Sequence, residues 1–359
     1  MTKSIRVVLV SLSALLFIAL IFLIVTYVVG SNNDASDADY DANYYGYGYL
    51  SSAYEGLTDN GEAYLLCGSG GRIDRVYADG GIENMTSPLD SVLTSVLVAA
   101  DITLISGASG VLMYSLDGKT FELCKKVTKS DILDLTEFQN MYFACTRDGS
   151  VLVSGDGISW RKQSAFADNA IISIASNEEY LFAITAETDI MISQDGQNWT
   201  EQNFNDEYDG YYPKYVFTKL VNLGPSFFIL GYSAEAPGLP LIMFSDSAGE
   251  VWLFKTLAEI NDKPPEAFYP LSVNHIGVFD DQLVAACSGG LLLTVTDCPT
   301  CNTVSNTSNA DLYTMSLSGK HLVVAGEDFQ FAVLNSFDLL RDDVSFDEAP
   351  VDFQNGAYE

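Results

Sequence analysis

Positive charge is what this chain has least of. Its 359 residues hold 17 Lys plus Arg against 48 Asp plus Glu, a formal net charge of −31. A surface that acidic repels phosphate backbones, so nucleic acid is excluded as the expected partner. Histidine is reduced to His275 and His321. Neither stands in a GxSxG or HExxH setting, and each reads as a strand or loop residue rather than a catalytic base. Cysteine is sparse as well: Cys67, Cys124, Cys145, Cys287, Cys298 and Cys301 are too few for a disulfide scaffold. Only Cys298 and Cys301 lie close together. A zinc site would need two further ligands nearby, and neither a second CxxC nor a His cluster exists. A redox CxxC would open a helix after a strand, whereas these flanks read as a hairpin. A local disulfide across a turn is the favoured reading, with free thiols next. Gly-rich phosphate loops are missing too, since Gly68-Ser69-Gly70-Gly71 precedes a strand and not a helix. No cofactor and no metal are expected.

Long apolar runs are equally scarce; there is one, Val7 to Val29, without a charge in it. At 1.5 Å per residue it spans roughly 34 Å, enough for a bilayer core of about 30 Å. Lys3 and Arg6 precede it, while Asp34, Asp37, Asp39 and Asp41 follow. The positive-inside rule then puts residues 1–6 in the cytoplasm and the body outside. A cleaved signal peptide would have an apolar region of about 7–15 residues and a small-x-small site. This run is longer, and Tyr27-Val28-Val29-Gly30 is a poor site. The expectation is an uncleaved single-pass plasma-membrane anchor over 7–29. Residues 30–49 form an acidic, Tyr-rich linker. Within it, Asp37, Asp39, Asp41 and Asn43 are spaced like the start of an EF-hand loop. Ala42 and Gly48 stand where that loop needs Gly and Glu, so a solvated stalk is expected.

What the chain does have is a repeat. The segments Ser115-Leu-Asp117-Gly118-Lys-Thr-Phe121, Ser154-Gly-Asp156-Gly157-Ile-Ser-Trp160 and Ser193-Gln-Asp195-Gly196-Gln-Asn-Trp199 put their Asp residues 39 apart, twice over. Asp79-Gly80 reads as a degenerate earlier copy, and Ser245, Gly249 and Trp252 mark a longer, later one. Short β-branched or aromatic runs bounded by Gly, Asp and Asn surround each copy, four per period. Four short strands in about 40 residues is the pattern of a propeller blade. The second-strand position falls near Cys67, Ser106, Cys145, Ile184, Leu230, Cys287 and Ala325, in steps of 39, 39, 39, 46, 57 and 38. The expected fold is therefore all-β, a propeller of about seven four-stranded blades over 50–340, with an acidic tail over 341–359. The outer strand that completes the last blade is expected from either residues 45–51 or the tail.

These segments resemble the Asp box, or BNR repeat, of sialidases and of many non-enzymatic propellers. The resemblance implies a fold rather than an activity. Gly118, Gly157 and Gly196 supply a turn with φ > 0, Asp and Ser lock it, and Phe121, Trp160 or Trp199 packs between blades. A sialidase would also carry an arginine triad. Only Arg6, Arg72, Arg75, Arg147, Arg161 and Arg341 exist, with Arg6 on the cytoplasmic side and Arg161 in an outer strand. The photosystem II assembly-factor propellers have similar repeats, and that resemblance implies a rigid ring that docks proteins. Their arginine patch has no counterpart in so acidic a chain.

Three insertions lengthen the later repeats. The first carries Asp206, Glu207, Tyr208, Asp209, Tyr211 and Tyr212, the second Glu235, and the third Glu266. All three are expected on one face, around blade five. Long loops on a rigid scaffold are where binding residues collect, and Tyr among carboxylates suits protein or glycan contact. The functional expectation is a non-catalytic, extracytoplasmic scaffold that binds a protein or cell-surface glycan. An exported glycoside hydrolase or lyase, or a structural subunit of a membrane complex, is the alternative.

Overall fold

The computed structural model describes residues 54–59, 63–163, 169–204, 215–234, 239–245, 248–249, 252–260, 271–279, 282–295, 310–318, 321–334 and 353–355. The anchor at 7–29, the linker with Asp37 to Asn43, the acid- and Tyr-bearing insertion residues, Cys298 and Cys301 lie outside them. Among the described residues no helix is long and apolar enough to cross a membrane.

Seven antiparallel sheets follow one another along the chain. Six have four strands; the sixth in order has three among the described residues. In all seven, strands pair in strict sequence order, the first with the second, the second with the third, and so on. The outer strand of the seventh blade comes from further along the chain. That strand, Phe353–Asn355, pairs with Gln330–Leu334. The C-terminal tail, not residues 45–51, thus supplies that strand, and the pairing carries the last blade past residue 340.

The first strands of neighbouring blades contact each other in an unbroken cycle, that of the seventh meeting that of the first. This makes the arrangement a closed seven-bladed propeller. Its core is not one mass but a series of layers between blades. In Met141–Thr146, Tyr142 and Ala144 point toward the second blade, while Phe143 and Cys145 point toward the fourth. Both faces of a blade are covered, so its strands read as nearly continuous apolar runs. The seam between the seventh and first blades has its own layer of Tyr54, Tyr64, Leu66, Val76, Val323, Ala325 and Phe331. Arg72 reinforces it: its guanidinium lies 4.3 Å from the Phe329 ring centroid and 2.6 Å from buried Asp74, which also takes the Tyr54 hydroxyl.

The register corrects one detail of the repeat. Cys67, Ser106, Cys145, Ile184, Leu230 and Ala325 pair with equivalent first-strand residues, but in the sixth blade the equivalent is Ala286, opposite His275. Cys287 sits one place further along.

Candidate functional site

The S-x-D-G segments form the turns joining third and fourth strands. In the third blade, Asp156 Oδ1 accepts the backbone N–H of Ile158 at 2.9 Å and of Ser159 at 2.7 Å. The Ser154 hydroxyl donates to that carboxylate at 2.9 Å and accepts from Gly157 N at 2.9 Å. The fourth blade repeats this with Asp195, Gln197, Asn198, Ser193 and Gly196. The second does so with Asp117, Lys119, Thr120 and Ser115. Backbone donors stabilise the ionised carboxylate. Those of Ser159 and Ile158 hold Asp156 down at about 2, and those of Asn198 and Gln197 do the same for Asp195. Thr120 and Lys119 hold Asp117 lower still. The aromatic residues of these segments pack at blade junctions. Phe121 and Trp160 enter the layers toward the preceding blade, Trp199 packs against the next such layer, and Trp252 meets Phe182 edge-on at 6.2 Å. Gly249 has a φ of 69° and Ser245 is buried. These carboxylates are committed to turns in separate blades.

The turns lie at one rim of the ring. Connections between blades, and those between second and third strands, leave the opposite rim. The described strand ends that flank the three insertions lie at that rim. Residues 205–214 run from the end of Trp199–Asn203 to Tyr215–Leu223. Residues 235–238 lie between Ser226–Ser233 and Pro240–Ser245, the second and third strands of the fifth blade. Residues 261–270 follow a short helix, Leu257–Ile260, and precede Val273–Phe279. That helix opens with a reciprocal cap, Thr256 Oγ1 accepting from Glu259 N while Glu259 Oε2 accepts from Thr256 N.

Sequence reasoning missed a polar belt on the inner strands. Every first strand has a β-bulge near its start, and the residues that follow it are Gly56, Ser95, Asp134, Ser173, Lys219, His275 and Thr314. Asp134 ties three blades together, accepting from Ser95 at 3.0 Å and from Ser173 at 2.6 Å. Thr94 reaches Ile132 O at 2.6 Å and Asn274 reaches Leu312 O at 2.7 Å, again across blade junctions. Burial in this wall and the Lys219 cation hold the His275 imidazole down at about 3. Burial also pushes the Cys145 thiol well up, beside the Asp134 charge.

The described arginines are scattered. Arg72 pairs with Asp74, Arg75 with Glu83 and with the Gly118 carbonyl, and Arg147 with Asp131 at 3.0 Å. These ion pairs sit in two different blades. Arg161 stands in the outer strand Trp160–Lys162. Among the described residues no cluster of His, Cys, Asp and Glu is arranged to hold a metal ion.

No protein-family model matches the sequence, and no curated protein matches it. Solved structures do resemble it in shape. YCF48 from Cyanidioschyzon merolae aligns with a TM-score of 0.59 at 15% identity, over 80% of this chain and 96% of that one. YCF48 bound to D1 peptide gives 0.60 at 14%, over 80% and 93%. The WD40 β-propeller domain of Doa1 gives 0.57 at 11%, over 81% and 96%. At such identities the likeness is one of fold: the chain is similar to these propellers in architecture.

Proposed function

We propose that this chain is a non-catalytic scaffold, tethered to the plasma membrane by residues 7–29, that holds a protein partner outside the cytoplasm on the insertion-bearing face around blade five. In this reading the S-x-D-G turns are Asp boxes that keep the ring rigid. One observation carries the proposal: the described strand ends flanking three lengthened connections, two between blades and one within the fifth, lie at the same rim. The acids and tyrosines they contain, Asp206, Glu207, Tyr208, Asp209, Tyr211, Tyr212, Glu235 and Glu266, offer aromatic area with a negative surround, suited to a partner segment bearing Lys or Arg. That a propeller of similar fold, YCF48, is known bound to a peptide supports a protein partner.

Affinity purification of the tagged full chain from detergent-solubilised membranes tests this, set against a variant lacking residues 206–212. The proposal expects the wild type in the membrane fraction with a protein that the variant fails to retain. Identical partners for both, or a wild type found in the soluble fraction, would count against it.

A further inference from the structure

Beyond that face, a cleft of about 220 Å³ opens between the third and fourth blades, at the rim of the S-x-D-G turns. The repeat itself shows why it exists. The preceding junction, between the second and third blades, is filled: Ile102, Leu104, Tyr114, Cys124 and Ile158 pack into one apolar layer. Moving each of these on by one period gives Met141, Phe143, Val153, Gln163 and Gln197, all of which line the cleft. Two apolar plugs have become amides, and a tyrosine has become a valine.

The last change frees a charge. In the second blade Tyr114 faces Glu122 across the strand pair and donates its hydroxyl to it at 2.7 Å. In the third blade the equivalent pair is Val153 and Arg161. Valine offers no polar side-chain atom, and the Arg161 guanidinium makes no hydrogen bond or ion pair with any described residue. The cleft's carboxylate, Asp195, is already engaged by two backbone N–H groups and by the Ser193 and Asn198 side chains. The walls are fixed in place, with Gln163 donating to Gly196 O at 2.7 Å and Gln139 to Gln194 O at 3.1 Å.

We infer that this cleft binds an extended peptide segment carrying an aliphatic side chain next to a carboxylate. The apolar floor of Met141, Phe143 and Val153 takes the aliphatic group. The Arg161 guanidinium takes the carboxylate, with two-pronged geometry open to it. The amide of Gln197 on the rim carries a donor and an acceptor of the kind a peptide main chain pairs with. The volume matches about seven waters at roughly 30 Å³ each, room for one such side chain and not for a long alkyl tail. A bare inorganic anion would leave the apolar floor unused.

The test uses the full chain in detergent micelles and fluorescence anisotropy with fluorescein-labelled Gly-Ser-Leu-Asp-Gly, for which a Kd on the order of 1 mM or tighter is expected. Replacing the peptide's Asp by Asn, or Arg161→Ala in the protein, weakens binding about tenfold. Arg161→Lys restores part of it, and Met141→Trp, which fills the floor, abolishes it. Deleting residues 206–212 leaves it unchanged, which keeps this site separate from the blade-five face. Equal binding by wild type and Arg161→Ala, loss of binding on that deletion, or no binding by the wild type at several times the expected Kd would overturn the inference.

Discussion

Ser173 in the fourth blade donates its hydroxyl to Asp134 in the third at 2.6 Å, and the two occupy equivalent bulge positions one period apart. The same carboxylate takes Ser95 of the second blade. One buried side chain thus fastens three consecutive inner strands at the wall of the axis. Asp134→Ala leaves two hydroxyls without their acceptor and is expected to cost about 2–3 kcal/mol, while Asp134→Asn, which keeps one carbonyl oxygen, costs about 1 kcal/mol. Denaturant unfolding followed by tryptophan fluorescence measures both. Equal stability of the two variants would mean that the hydroxyls pair elsewhere.

Glycine in the turns answers to two demands at once. Gly196 has a φ of 67°, and a Cβ there would come within 2.4 Å of the Phe143 ring of the neighbouring blade. Gly224 has a similar φ of 64° with nothing within 4 Å. Gly224→Ala therefore carries only the backbone cost, about 1 kcal/mol, whereas Gly196→Ala adds an overpacking cost and totals about 2–4 kcal/mol. Thermal melts of the pair separate close approach from backbone conformation. Indistinguishable melts would show that the turn does not press on the next blade.

The turn carboxylates set an acid limit. Asp156 and Asp195 titrate near 2 in the folded protein, below the unfolded value of about 3.9. A depressed folded pKa stabilises the fold fully above the unfolded value, and that stabilisation is lost as pH falls through the folded one. The window is therefore about pH 4 down to about 2. Replacing Asp117, Asp156 and Asp195 together by Asn keeps a carbonyl acceptor but removes the titration. The triple variant is expected to be less stable than wild type at neutral pH, with the difference shrinking across that window. A constant difference from pH 6 to pH 2 on circular-dichroism melts would contradict the assignment.

The S-x-D-G turns were legible because their geometry dictates side chains. A positive φ calls for Gly, paired N–H groups call for a carboxylate, and a junction between blades calls for an aromatic ring. The belt was not, since a bulge is a backbone event and tolerates Ser95, Asp134, Lys219 and His275 alike. Cys287 looked like the repeat of Cys67 and Cys145, yet residue type misled there and register decided. The strand Phe353–Asn355 is three residues long inside an acidic tail, too short to show alternation. The cleft could have been read by subtracting one repeat from the next, because its signal is what Gln197 and Val153 lack relative to Ile158 and Tyr114.

The central claim is that one face of the ring, around blade five, meets a partner. Placing a photo-reactive benzoyl-phenylalanine at Tyr208, Tyr211 or Tyr212 in the full chain, and separately at Lys119 in the turn of the second blade on the opposite rim, addresses it in intact cells. The account predicts the same cross-linked protein from all three tyrosine positions and none of it from Lys119. Cross-links to that protein from Lys119, or none from any of the three tyrosine positions, would contradict it.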